Sequence, residues 1–156
     1  MAIKIGDDNT RNIPVTAKEP AENDQYIPHK VVMTFEVLPS DDWRAMTARW
    51  RELAAMRARM NDDPDYQMSA TELAEAEEPL CDIAARYLRG MSGLEDAAGQ
   101  PLAFTDAIKP KILAIPWLRD PIVDGFMAVQ NGKTMTEFLR NREDEQKQQQ
   151  QLRRKN

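Results

Sequence analysis

The chain has 156 residues, 42% hydrophobic and 30% charged, and a formal net charge of −5. That length fits one domain with room for a small appendage and a modest core. The acidic balance argues against nucleic-acid binding by the chain as a whole, and no apolar run approaches the roughly 18 residues that a membrane helix needs.

In chain order, MAIKIG offers a short strand near residues 2–6, with Ile3 and Ile5 on one face. The N-terminal ten residues lack a basic region and a long apolar stretch, so no secretory signal is expected. Residues 7–28 are polar and interrupted by Pro14, Pro20 and Pro28. They read as an extended arm or long loop, either mobile or laid along another subunit. His29, the lone histidine, has no marked nucleophile beside it and reads as a loop or strand-entry residue. In residues 30–38, Val31, Met33, Phe35 and Val37 alternate with their neighbours, which predicts a strand. Its hydrogen-bonding partner is sought first in the N-terminal strand, with a neighbouring subunit as the other candidate.

Pro39 ends that strand, and Ser40 is the expected N-cap of a helix with Asp41 and Asp42 in its first turn. Trp43, Met46, Trp50, Leu53 and Met60 recur at helical spacing, with Arg57 in the remaining slot, and the helix should end near Asn61. The two tryptophans are read as core. Asp62, Asp63 and Asp65 around Pro64 lack the glycine and distal glutamate of a calcium loop, and read as a solvated turn. Ser69 with Glu72 predicts a capping box, and Met68 with Leu73 its hydrophobic staple. Pro79 should kink or break the following helix near Glu78, and Gly90 and Gly93 should end it. Within that helix the single cysteine, Cys81, reads as a small buried apolar residue; it leaves no intrachain disulfide and fits a reducing cytosol.

Residues 91–118 are expected to hinge two helical segments through the turn Ala98-Gly99-Gln100-Pro101. Either Thr105 caps a helix, or a short turn precedes a helix starting at Pro110. Ile115-Pro116 reads as a stop, Asp120-Pro121 as a restart and Asn131-Gly132 as the next stop. From Thr134 a helix carrying Met135, Phe138 and Leu139 runs into the polar NREDEQKQQQQLRRKN, which should fray when unbound.

No phosphate loop, metal-spaced Cys/His pair or nucleophile elbow is present in the sequence. The adjacent pairs Glu77-Glu78 and Glu95-Asp96 read as solvated acids. Arg153-Arg154-Lys155 lacks interleaved aromatics and follows an acidic run, so a solubilising or partner-binding tail is favoured over nucleic-acid contact. No catalytic, cofactor or metal residue is therefore assigned. Nine methionines, seven of them in or beside amphipathic segments, suit either gap-filling in a small core or an adaptable binding surface.

Several short motifs resemble the tail assembly chaperones of long-tailed bacteriophages, mainly over residues 80–138. They are Leu94-Glu95-Asp96, Gly99-Gln100-Pro101-Leu102, Phe104-Thr105, and Leu113 with Pro116. Ser40-Asp41-Asp42-Trp43 after an apolar strand looks like the opening of such proteins. Members often carry Gly-Trp-x-Gly before the hinge; this chain has Gly90-Met91-Ser92-Gly93 and lacks the aromatic. The resemblance implies a mostly helical, non-enzymatic protein of the host cell cytoplasm. Such proteins keep the tape measure protein soluble and help recruit tail tube subunits. It supplies no catalytic residue and no partner-binding residue.

The expected fold is α+β, mainly helical, with a small N-terminal β element, strands near 2–6 and 30–38, followed by a helical bundle. The expected divisions are 1–38 for the β element and polar arm, 39–140 for the helical domain, and 141–156 for a flexible tail. The leading function is tail assembly chaperone, without cofactor and away from membranes. A structural or tail-completion adaptor of the particle comes second and a small nucleic-acid-contacting regulator third. A homo-oligomer is left open.

Overall fold

The computed structural model describes residues 9–155. The chain is α+β and mainly helical, with a small three-stranded antiparallel sheet followed by a helical bundle. The strand expected near residues 2–6 lies outside the described residues.

The strongest departure from the sequence reading is the polar arm. It is a strand, β1 (Thr10–Pro20), paired along its full length with β2 (Tyr26–Glu36). The register sets Ile13 opposite Met33, Val15 opposite Val31 and Ala17 opposite His29. Only that face is buried, so the intervening Asn12, Pro14, Thr16 and Lys18 stay exposed and dilute the apolar signal. Pro14 and Pro20 are tolerated because β1 is an edge strand. The Val37 amide bonds the Asn9 carbonyl at 2.7 Å, so odd-numbered β1 residues bond across to β2. Even-numbered ones, both prolines included, turn their backbone to the free edge. β2 itself starts four residues before the expected strand, and His29 lies within it.

The connection that follows runs through Pro39, which occupies the N-cap position of α1 (Ser40–Asp62). Ser40 is the first helical residue and makes no capping bond, a correction to the expected cap. Met68 is buried ahead of α2 (Ala70–Glu77), and Ser69 and Glu72 form the capping box reciprocally, at 3.1 and 3.0 Å. The break falls at Glu78 as expected, and Pro79 becomes the N-cap of α3 (Leu80–Arg86), whose Cys81, Ile83, Ala84 and Ala85 are buried.

Gly90 does not end a helix. Tyr87 is the C-cap, and Leu88–Ser92 forms β3 on the free side of β2, completing the order β1-β2-β3. A bulge between Thr34 and Phe35 lets Leu88 and Met91, three residues apart, both face the core. The turn expected at 98–101 forms about two residues earlier, at Asp96–Gln100, and Pro101 bridges Glu95. Asp96 Oδ1 accepts from the Ala98 and Gln100 amides, both at 2.9 Å, and Gly99 takes a φ of +78°. After a turn at Thr105, α4 (Lys109–Leu113) holds Pro110 in its first turn, the second of the two expected arrangements.

Pro116, read as a stop, opens a helix. The helix α5 runs unbroken from Pro116 to Gln130 with Pro121 inside it, so Asp120-Pro121 is no restart. Proline at the first helical position removes a donor that had no partner there, whereas Pro121 removes an interior bond at a cost of about 3 kcal/mol. That cost is offset by the burial of Leu118, Ile122, Phe126, Ala128 and Val129 against the sheet. Asn131-Gly132 ends α5 as expected, with Gly132 at φ +66°. The last helix, α6 (Met135–Lys155), continues through the glutamine run where fraying was expected. Gln, Glu, Lys and Arg are good helix formers, and the basic residues at the end complement the dipole. No residue of α6 is buried.

The core lies between the inner face of the sheet and α5. Gly125 marks the closest approach: a Cβ there would sit 3.1 Å from the Phe35 ring. Trp43 meets Phe126 edge-on at 5.7 Å and Trp50 at 5.6 Å, while Tyr87 stacks on Phe126 at 5.5 Å. The tryptophans thus pack against the core, and Met33 and Met91 are core residues outright.

Candidate functional site

Of the 23 residues in α1, only Leu53 is buried. The predicted apolar stripe of this helix is therefore only partly covered, and its middle part lines a groove. One hollow of about 350 Å³ lies among Trp50, Leu53, Ala54 and Arg57 of α1, Glu75 and Ala76 of α2, Glu78 at the break, and Leu80 and Ile83 of α3. A second, of about 230 Å³, adjoins it toward Met46, Arg49 and Arg86 and shares Trp50, Leu53, Glu75, Glu78 and Ile83. The Pro79 break falls at this groove: Glu78 is extended between α2 and α3, and Leu80 is left exposed at the mouth.

Charged pairs border the apolar floor. Arg49 donates to both carboxylate oxygens of Glu75, at 2.6 and 3.1 Å, and to Glu52 at 3.3 Å. This forked bond raises the Arg49 pKa and, as its largest cause, lowers that of Glu75. Glu72 is lowered chiefly by the bond from the Ser69 backbone amide. Arg57 reaches Glu77 at 3.9 Å, and Arg86 pairs with Glu78. The Glu77-Glu78 pair, read as solvated acids, therefore takes part in ion pairs at the groove rim. All but Glu78 are more than a third exposed at the side chain, so each pair adds little to stability.

The remaining sequence candidates are dispersed. Cys81 is buried in α3. Asp63 accepts a bond from the Asp65 amide within its turn. Arg153, Arg154 and Lys155 sit exposed at the end of α6. Among the described residues no cluster of three His, Cys, Asp or Glu is placed to hold a metal ion, and no helix is long and apolar enough to cross a membrane. The groove was not legible as a site, although its α1 wall is the stripe Met46, Trp50, Leu53 and Arg57, and the Pro79 break that falls at it carries a sequence signal.

Comparison with protein-family models, with curated proteins and with solved structures finds no match.

Proposed function

We propose that this chain is a non-enzymatic binding protein of the tail assembly chaperone kind, acting in the cytoplasm of a phage-infected cell. Its partner is the tape measure protein, whose apolar helices it keeps soluble while tail tube subunits are recruited. The observation that carries the reading is the groove between α1 and the α2–α3 pair. It is open, apolar along its floor, and bordered by both signs of charge. Such a surface suits one face of an amphipathic helix, whose anchors at i, i+3, i+4 and i+7 enter the hollows while its charged flanks meet Arg57, Glu77 and Arg86. The adaptable Met46 at one end agrees with a surface that accepts several apolar side chains.

The test is co-expression with a long helical tape measure protein from the same genome. Wild-type protein should hold it in solution and co-elute with it. Leu80→Glu and Ala54→Glu place charge in the groove at exposed positions and should abolish co-elution while leaving the thermal midpoint unchanged. Retention of the prey by both variants would remove the groove from the mechanism. Prey that stays insoluble, with this chain present in purified particles, would replace the chaperone by a structural adaptor.

A further inference from the structure

A separate cavity, of about 340 Å³, shares no lining residue with the groove. It lies between the hairpin end of β1–β2 and the start of α5, walled by Val31, Met91, Leu94, Ile115, Trp117 and Leu118. Two carboxylate residues, Glu19 and Glu95, also line it, and no lysine or arginine does. His29 Nε2 shares a 2.6 Å hydrogen bond with Glu19 Oε2, and the imidazole stacks on the Trp117 ring at 5.5 Å. Glu19 therefore fixes His29, and His29 fixes the wall of the cavity.

The carboxylates of the groove rim and of a few other sites are neutralised within the chain. Glu36, Glu75, Glu77, Glu78, Asp82 and Asp124 each face an arginine of this chain. Among the described residues Glu95 has no such partner, and Glu19 has only His29. The N-terminus of α5 adds about half a unit of positive charge to one wall. Two carboxylates outweigh it, so the cavity is net negative. Its aliphatic walls exclude a bare hydrated ion as the best fit, because they reward methylene burial.

We propose that this cavity receives a lysine or arginine side chain presented by a protein partner. The alkyl stem lies along Val31, Met91 and Leu118, and the cationic end meets Glu19 and Glu95. The hairpin end supplies the contact for the flanking residues. Ile27 continues the inward-facing row of His29 and Val31, yet it is 48% exposed, and its neighbour Tyr26 is 62% exposed. Two large apolar side chains beside a cavity with unmatched negative charge form a docking edge for a segment carrying apolar residues around a basic one.

The experiment uses the full chain labelled with 15N and capped tripeptides, leucine flanking a central lysine, arginine, norleucine or glutamate. The indole N–H signal of Trp117, assigned with Trp117→Phe, is the reporter. The lysine and arginine peptides should shift it saturably, and the norleucine peptide should bind roughly fivefold more weakly or worse. Glu95→Gln should narrow that gap; it leaves the His29–Glu19 bond intact, and unchanged amide dispersion will show that the fold is retained. Glu19→Gln should act in the same direction. Equal binding of the norleucine peptide, or no saturable shift of Trp117, overturns the proposal. So does a free diamine such as 1,4-diaminobutane binding more tightly than the lysine peptide.

Discussion

Where β2 leaves the sheet, the chain has no neighbouring strand on the side of α5, and one side chain takes that role. Gln130, the last residue of α5, donates from Nε2 to the Glu36 carbonyl at 2.7 Å and accepts at Oε1 from the Leu38 amide at 2.9 Å. Its amide thus imitates a β-ladder rung across 92–94 residues of sequence. Gln130→Met keeps the length and removes both bonds. At about 0.5–1.5 kcal/mol for each, the loss should be about 1–3 kcal/mol. For a chain of this size each kcal/mol lowers the thermal midpoint by about 2–4 °C. Gln130→Glu keeps the acceptor for Leu38 but sets a carboxylate against the Glu36 carbonyl, so it should be destabilised as well. Urea denaturation gives the free energy, and amide hydrogen exchange at Leu38 gives the local signature. A Gln130→Met protein within about 0.5 kcal/mol of wild type, with Leu38 still protected, would refute the bridging role.

Gly125→Ala gains about 1 kcal/mol of helix propensity. It also sets a methyl 3.1 Å from the fully buried Phe35 ring, so a net loss of about 1–2 kcal/mol is expected in the same urea assay. Pro14→Thr restores a backbone donor on the free edge of β1 and should promote self-association, seen as concentration-dependent mass by light scattering. Acid should loosen the α1–α2 contact, held by Glu75, and the α2 cap, held by Glu72. The Glu75 and Glu72 pKa values are lowered in the fold, so their stabilisation is full above the ordinary value of 4.5 and is lost as pH falls through the folded values. Asp124 has the opposite sign, because burial raises it even against Arg142, and its cost appears only as pH rises. Exchange protection in α2 should therefore fall on acidification before that of the α5–α6 junction, and Glu75→Gln should flatten the α2 response.

The parts of the fold legible in the sequence are those whose signal is local. The Ser69–Glu72 box, the break at Glu78 and the stop at Asn131-Gly132 each follow from a few adjacent residues, and all three stand in the structure. What escaped depends on partners far along the chain. β1 has only Ile13, Val15 and Ala17 on its buried face, and prolines that an edge strand tolerates but a central one does not. β3 carries its two buried residues three apart because of the bulge, a spacing that imitates a helix. Pro116 and Pro121 could be placed only by knowing how much apolar surface α5 buries. The cavity near Trp117 joins Glu19 and His29 to residues of the 91–118 stretch, and no local pattern announces such a meeting.

The α1 stripe ties the fold to the site. Its N-terminal part is covered: Trp43 lies against Phe126 in the core. Its middle, Met46, Trp50 and Leu53, forms the floor where the groove opens. At the next slot the periodicity places Arg57, whose guanidinium turns to Glu77 on the opposing wall. A leucine there would extend the apolar surface with nothing in the chain to cover it and would invite non-specific association. An arginine keeps an aliphatic stem for a visiting helix while its head stays in water. The one polar residue in an otherwise apolar stripe therefore closes, at its far end, the floor that Met46, Trp50 and Leu53 begin.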